Sequence, residues 1–235
     1  MKKTKKRLRF RGFLIILLAI YLMGVVLAKI ITMPVKSIEV KGITLLKSTE
    51  VLKKANIDNY PNFLRVSTNS IKKKLIKEPL IKDVSVKKTI TGRIVIDITE
   101  SKVLFYNANS RKIVLDSKQE EDYKDIFLGV PILINYTPDT IYDELINKLS
   151  LVDQSIISKI SEIEYSPHEK DGTILDPERF ILKMNDKNTV HINLLNIKKL
   201  DKYNEIYEIL ENSGTLYLDS SSKNYIFKAY NDQLW

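Results

Sequence analysis

A run of 16 uncharged, mostly apolar residues, Phe13–Ala28, sits directly behind a tail in which seven of the first eleven residues are Lys or Arg. Past Lys29 the apolar character continues through Ile30, Ile31 and Met33, so the segment 13–33 is 21 residues long. About 20 residues, each rising about 1.5 Å, cross the roughly 30 Å of hydrocarbon in a bilayer. Inside hydrocarbon a single segment satisfies its own backbone only as a helix. The run therefore predicts one spanning helix, ended by Pro34, with Lys29 close enough to one end to reach the headgroups. Lys2, Lys3, Lys5, Lys6, Arg7, Arg9 and Arg11 precede it, against Lys29 and Lys36 just after it, which places the N-terminus inside. The expected topology is single-pass type II: a basic cytoplasmic tail (1–12), a transmembrane helix (13–33), and the remaining chain extracytoplasmic. A cleaved signal peptide ending at Val26-Leu27-Ala28 is the competing reading. The apolar run beyond Ala28, and a strand-like sequence starting almost at once, favour the anchor.

That tail also accounts for most of the formal net charge of +9, since no acid precedes Glu39. The rest of the chain carries only two net positive charges, whereas a nucleic-acid-binding domain keeps its basic face on the folded part. Nucleic acid is excluded as a partner on this ground. With 44% hydrophobic and 29% charged residues the body has globular composition. The chain has no cysteine, which removes disulfides, thiolate metal sites and a Cys nucleophile.

After the anchor, Ser37–Lys41 alternates polar and apolar residues and ends at Gly42, a strand and turn. Ser48 or Thr49 can cap a short helix with Val51, Leu52 and Ala55 on one face. The stretch Ser67–Ser70 precedes a second helix, with Ile71, Leu75 and Ile76 at helical spacing and Pro79 as its stop. Lys72, Lys73, Lys74 and Lys77 read as its solvated face, with lipid headgroups as the lesser alternative. Two strands follow, around Asp83–Lys87 and Ile94–Thr99, joined at Thr91-Gly92. The order strand, helix, helix, strand, strand directly after an anchor resembles a POTRA domain over residues 35–102. The stretch Glu78–Lys88, then Arg93–Glu100, carries that resemblance; the Thr91-Gly92 turn departs from it where family members often have a Pro.

From Val103 the pattern predicts a hairpin (Val103–Tyr106, Lys112–Asp116), a short apolar strand (Val130–Ile134), and helical periodicity from Ile141 through Ile160 and Ile163, as one helix or two end to end. A second hairpin (Phe180–Met184, Thr189–Asn193) turns at Asn185–Asn188. A helix with Leu200, Tyr203, Ile206, Tyr207 and Leu210 on one side, capped by Gly214, leads to a closing pair, Thr215–Leu218 and Asn224–Tyr230. This succession is similar to the β domain of the bacterial division proteins FtsQ and DivIB, spanning 103–235. Ser220 stands where many family members have Arg, and Val103-Leu104-Phe105 replaces a commoner Pro-Val-Ala-like step. The fold class expected is α+β: transmembrane helix, POTRA-like β-α-α-β-β unit, then a mixed α/β unit with a mainly antiparallel sheet.

No enzyme chemistry is expected. His168 and His191 lie in no metal-ligand motif and read as exposed positions. Glu120-Glu121-Asp122 reads as an acidic cluster near a helix start, without the oxygen-ligand spacing of a calcium loop. Ser220-Ser221-Ser222 has no base nearby, and no Gly-rich phosphate loop occurs. Cofactor, metal and small-molecule substrate are all expected to be absent.

What remains is binding. A sheet edge offers unpaired N–H and C=O groups to an extended partner, and Tyr225, Ile226, Phe227, Lys228, Ala229 and Tyr230 have high β propensity with no further strand beyond them. Read from the residues alone, these side chains either present an edge or pack onto their own domain. The family resemblance implies the edge, pairing with small coiled-coil division proteins of the FtsB/DivIC and FtsL type. It implies a non-enzymatic scaffold at the division septum, regulating septal peptidoglycan synthesis. A POTRA-containing envelope chaperone or assembly factor, or a sporulation-specific relative, are the alternatives.

Overall fold

The computed structural model describes residues 10–220 and 225–230, with side chains from residue 12 onward. The tail cations Lys2 to Arg9 and residue Asn224 lie outside the described residues, as does the side chain of Arg11. The chain divides into two compact units: one comprising the N-terminal segment to Glu78 together with Asp83–Thr99, the other Pro79–Lys82 together with Glu100 onward.

The first unit begins with α1 (Phe10–Thr32), whose window Gly12–Thr32 is long and apolar enough to cross a membrane and contains no buried residue. Four residues separate it from the β-α-α-β-β unit: β1 (Ser37–Lys41), α2 (Ser48–Ala55), α3 (Thr68–Leu75), β2 (Ile81–Lys88) and β3 (Arg93–Glu100). The sheet order is β1-β3-β2, with β1 parallel to β3. Strand β3 is central, and its Ile94, Ile96 and Ile98 are all buried, as a period-2 pattern requires. Val51 and Ala55 of α2 and Ile71 and Leu75 of α3 cover them from one side. Ser67 caps α3 through the Ser70 N–H, as expected. Two expectations fail here. Helix α2 starts after Lys47 without a side-chain cap. Helix α3 ends at Leu75 with Ile76 as its cap, before Pro79 is reached.

The second unit is built on a nine-stranded sheet with helices on one face. Its strands are β4 (Val103–Asn107), β5 (Lys112–Leu115), β6 (Glu120–Asp122), β7 (Ile132–Leu133), β8 (Ile160–Tyr165), β11 (Arg179–Met184), β12 (Thr189–Asn193), β13 (Gly214–Tyr217) and β14 (Ile226–Ala229). A separate pair, β9 (His168–Lys170) and β10 (Thr173–Asp176), projects between β8 and β11 in the chain. The sheet order is β14-β13-β12-β11-β8-β7-β4-β5-β6. Pairings are antiparallel except β12–β13, β4–β7 and β7–β8. Helices α4 (Asp139–Leu149), α5 (Gln154–Ile157) and α6 (Tyr203–Glu208), with a 3₁₀ segment Leu194–Lys202, close the core over Phe105, Ile163, Phe180, Leu182, Val190 and Leu216.

Three departures from expectation have physical causes. The helical period through Ile160 and Ile163 is not helical: Asp153 starts only the four-residue α5, and β8 follows. In β8 the register slips by one, Lys183 facing Glu162 and Met184 facing Ile160. The extra residue, Ser161, bonds the Lys183 carbonyl. A bulge of this kind resets the alternation, so Ile160 and Ile163 both face the core at a spacing that imitates a helix. Glu120–Asp122 forms an edge strand and not a helix start. Gly214 opens β13 instead of capping a helix, because a Cβ there would stand 2.3 Å from the Lys228 carbonyl oxygen and 2.9 Å from the Ala229 Cα. The closing strand runs too close to its neighbour for any side chain at that position.

Candidate partner-binding edge

The large sheet has two edges, and their chemistry differs. At one end β6 is three acidic residues long, with Asp122 paired to Lys112 at 3.0 Å and Glu121 to Lys124 at 2.9 Å. Short length and charge both discourage a further strand. At the other end β14 carries Ile226-Phe227-Lys228-Ala229, flanked by Tyr225 and Tyr230, with one charge and no strand beyond it among the described residues.

The register fixes which atoms of β14 are free. Pairs run Tyr217–Ile226, Leu216–Phe227, Thr215–Lys228 and Gly214–Ala229, and the Tyr230 N–H donates to the Ser213 carbonyl at 3.1 Å. Hydrogen-bonded and non-bonded pairs alternate along an antiparallel ladder. Ile226, Lys228 and Tyr230 are therefore bonded back to β13, and the N–H and C=O of Phe227 and Ala229 are directed away from the sheet.

Side chains follow the opposite logic. Phe227 is half-buried and packs on the core, whereas Ile226 (54%) and Tyr225 (45%) are exposed. Lys228 lies over the Tyr217 ring, 5.6 Å from its centroid. The two readings open at the level of sequence are both partly right: Phe227 packs inward, while Tyr225, Ile226 and Lys228 face solvent beside the free edge.

Two polar clusters hold this hairpin in place. Buried Tyr203 donates to Asp186 (2.8 Å) and accepts from Asn188 (3.1 Å), and the Asn188 side-chain carbonyl accepts the Gly214 N–H (2.8 Å). Burial, and then the Asp186 carboxylate, push the Tyr203 phenol upward from its usual pKa. Tyr230 shares a 2.7 Å hydroxyl bond with Thr189. On the outer face Arg179 pairs with Asp219 at 3.0 Å and contacts His191, which packs on Tyr217. Burial and the Arg179 charge lower the His191 pKa to about 4. His191 is thus half-buried, not the exposed position expected, while His168 on β9 is exposed. Sequence reasoning missed both clusters, since one joins the β11–β12 turn to the last helix and β13, and the other joins β11 and β12 to β13 and the residues after it.

No group of three His, Cys, Asp or Glu side chains is placed to share a metal ion among the described residues. Ser220 lies beyond β13, and Ser221 and Ser222 fall outside the described residues. A shallow groove of about 390 Å³, lined by Tyr106, Tyr123, Phe127, Leu128 and Ile132, has no acidic or basic side chain in its lining.

Comparison with known proteins finds relatives among bacterial cell division proteins. The model of the FtsQ-type POTRA domain matches residues 33–101. The cell division protein DivIB of Brevibacillus brevis is 27% identical over 210 residues, covering 86% of this chain and 76% of that protein. DivIB of Listeria monocytogenes is 25% identical over 242 residues, covering 99% and 87%. The solved extracytoplasmic domain of DivIB from Geobacillus stearothermophilus aligns with a TM-score of 0.36 at 18% identity, covering 48% of this chain and 96% of that one.

Proposed function

We propose that this chain, a relative of the FtsQ and DivIB proteins of bacterial cell division, is a membrane-anchored, non-enzymatic scaffold of the divisome. Its β14 edge takes up an extended segment of a partner protein. The observation that carries this reading is the outward direction of the Phe227 and Ala229 backbone groups on the less charged of the two sheet edges. An added strand completes those hydrogen bonds and lies against Tyr225 and Ile226. The partners that fit are the small FtsB/DivIC-like and FtsL-like proteins, through which the scaffold regulates septal peptidoglycan synthesis. The charge of Lys2, Lys3, Lys5, Lys6, Arg7, Arg9 and Arg11 supports a cytoplasmic N-terminus and both folded units outside. Tethering by α1 raises the concentration of the edge at the membrane surface, where single-pass partners also reside.

A photo-crosslinking amino acid placed in growing cells at Tyr225, Ile226, Lys228 or Ala229, and at Glu121 on β6 as the contrast, tests the reading. Adducts to an FtsB/DivIC- or FtsL-like protein are expected from β14 positions alone. Adducts from β6 alone, or from neither edge, would refute it. A fluorescent fusion should concentrate at the septum, and a uniform envelope signal would count against the divisome role.

A further inference from the structure

We propose that the first unit makes a second contact with the bilayer, a collar in which Tyr60, Leu64 and Ile90 enter the headgroup region of the leaflet from which α1 emerges. This rests on reading α1 as a membrane span. The window Gly12–Thr32 has 21 residues, about the length of one hydrocarbon crossing, so the membrane surface falls near Thr32 and Met33.

Two loops of the β-α-α-β-β unit are fastened at that level. The Asn62 side-chain amide donates to the Ile31 carbonyl at 2.5 Å, and the Phe63 N–H donates to the Met33 carbonyl at 2.9 Å. The Ile31 carbonyl is one that a helix C-terminus leaves without an intrahelical donor, so the 60–66 loop closes the end of α1. On the other side the Lys36 N–H donates to the Gly92 carbonyl at 2.9 Å. Gly92 has φ +87°, and the Met33 methyl lies 2.5 Å from where its Cβ would be. The tip of the β2–β3 hairpin is thus pressed against the first residues after the helix. Lys88 joins the two loops, bonding the Phe63 and Val66 carbonyls at 2.6 and 2.8 Å and lying over the Phe63 ring.

The side chains these loops leave exposed are the wrong kind for water. Ile90 is 99% exposed, Leu64 53% and Tyr60 46%. Each lies within two residues of a backbone group bonded to the chain leaving α1. Tyr60 is held at φ +50°, a costly conformation for a bulky residue, of the kind that concentrates at functional positions. Tyr is also the side chain that favours the bilayer interface, with an apolar ring and a polar tip. Exposed Arg65 stands in the 60–66 loop and exposed Lys36 in the chain leaving α1, where lipid phosphates would meet them. Apolar tips with flanking cations, fixed to a helix exit, match a lipid surface better than an aqueous one.

The test uses the full-length chain with its single tryptophan removed (Trp235→Phe), reconstituted in phosphatidylethanolamine–phosphatidylglycerol vesicles with and without acyl-chain bromine. One tryptophan is introduced at a time: Leu64→Trp, Ile90→Trp, Leu22→Trp within α1, and Leu195→Trp on the second unit. Blue-shifted emission and loss of intensity in brominated lipid are expected at 64 and 90 as well as at 22, with 195 unchanged. Quenching at 22 with water-like, unquenched emission at 64 and 90 overturns the collar and leaves the span standing. A blue shift at 64 and 90 without bromine quenching also overturns it, by assigning those side chains to a protein neighbour. No quenching at 22 removes the span, and the collar with it.

Discussion

Replacing Ala229 by proline separates the free edge of β14 from the stability of the hairpin that carries it. The Ala229 N–H points away from β13, so its loss removes no bond within the chain, and edge strands tolerate proline at such positions. An incoming strand loses one backbone hydrogen bond, worth about 0.5–1.5 kcal/mol net, and its facing carbonyl is left unpaired against the ring at about 1–3 kcal/mol. These contributions overlap, so the expected loss is about 1.5–3 kcal/mol, roughly a 10- to 100-fold weaker Kd. Lys228→Pro is the counterpart: it deletes an N–H bonded to β13 and should lower the unfolding midpoint as well as binding. Titration calorimetry of each purified variant against the extracytoplasmic segment of an FtsB/DivIC-like partner reads affinity, and urea unfolding reads stability. Undiminished binding by Ala229→Pro, with unfolding like the parent, would refute strand addition at this edge. Phe227→Asp is a poor substitute, because Phe227 packs on the core and its loss confounds folding with binding.

Gly214→Ala should destabilise the second unit by about 1–3 kcal/mol, since the new methyl meets backbone on β14 that cannot move without shifting the strand; thermal unfolding reads it, and an unchanged midpoint would contradict the register. Tyr203→Phe leaves Asp186 and Asn188 without their shared hydroxyl in a buried site and should cost about 1–3 kcal/mol by urea unfolding. His191 gives a pH dependence of definite sign. Its folded pKa of about 4 lies below the ordinary value of 6.5, so the unfolded chain binds the proton first and acidification favours unfolding. The loss accrues from about pH 6.5 down to about pH 4 and then levels off, on the order of 2 kcal/mol after allowing for partial exposure. His191→Gln should flatten that part of the stability curve, and equal slopes in both proteins would show that His191 is not responsible.

How much of this was legible in the sequence depended on whether a pattern stayed local. The anchor follows from the length of its apolar run, and β1 to β3 with α2 and α3, and the hairpin β11–β12, follow from period and turn residues. The stretch from Ile141 is helical through α4 and α5 but misleads at its end: a bulge at Ser161 lets a strand present Ile160 and Ile163 three apart, which is the helical signature. β6 was hidden for a related reason, as an edge strand of three acids has no buried face to leave an alternation. Residues 225–230 could be marked as a strand from their composition. The division of labour within them, Phe227 inward and Ile226 outward, required the register with Leu216 and Tyr217. The clusters around Tyr203 and His191 join residues up to 43 positions apart, and nothing in their local sequence announces them.

Those clusters bear directly on whether β14 can act as a template. A strand at the end of a sheet has a partner on one side only, and a loosely held one would add its own ordering entropy to the cost of binding. Here the open end of the closing pair is fixed on both strands by groups from outside it. Asn188, itself held by Tyr203 and Asp186, bonds the Gly214 N–H where β13 begins, and Tyr230 bonds Thr189 and the Lys187 carbonyl where β14 ends. The β11–β12 turn supplies Asp186, Lys187 and Asn188, and Thr189 opens β12 directly after it, so one short segment sets the position of both strands. The closeness that excludes a side chain at Gly214 removes the remaining slack between them. An edge held this way presents its free N–H and C=O groups at fixed spacing before any partner arrives. It follows that disrupting the turn, by Asn188→Ala for example, should weaken partner binding even though no residue in the turn touches the partner.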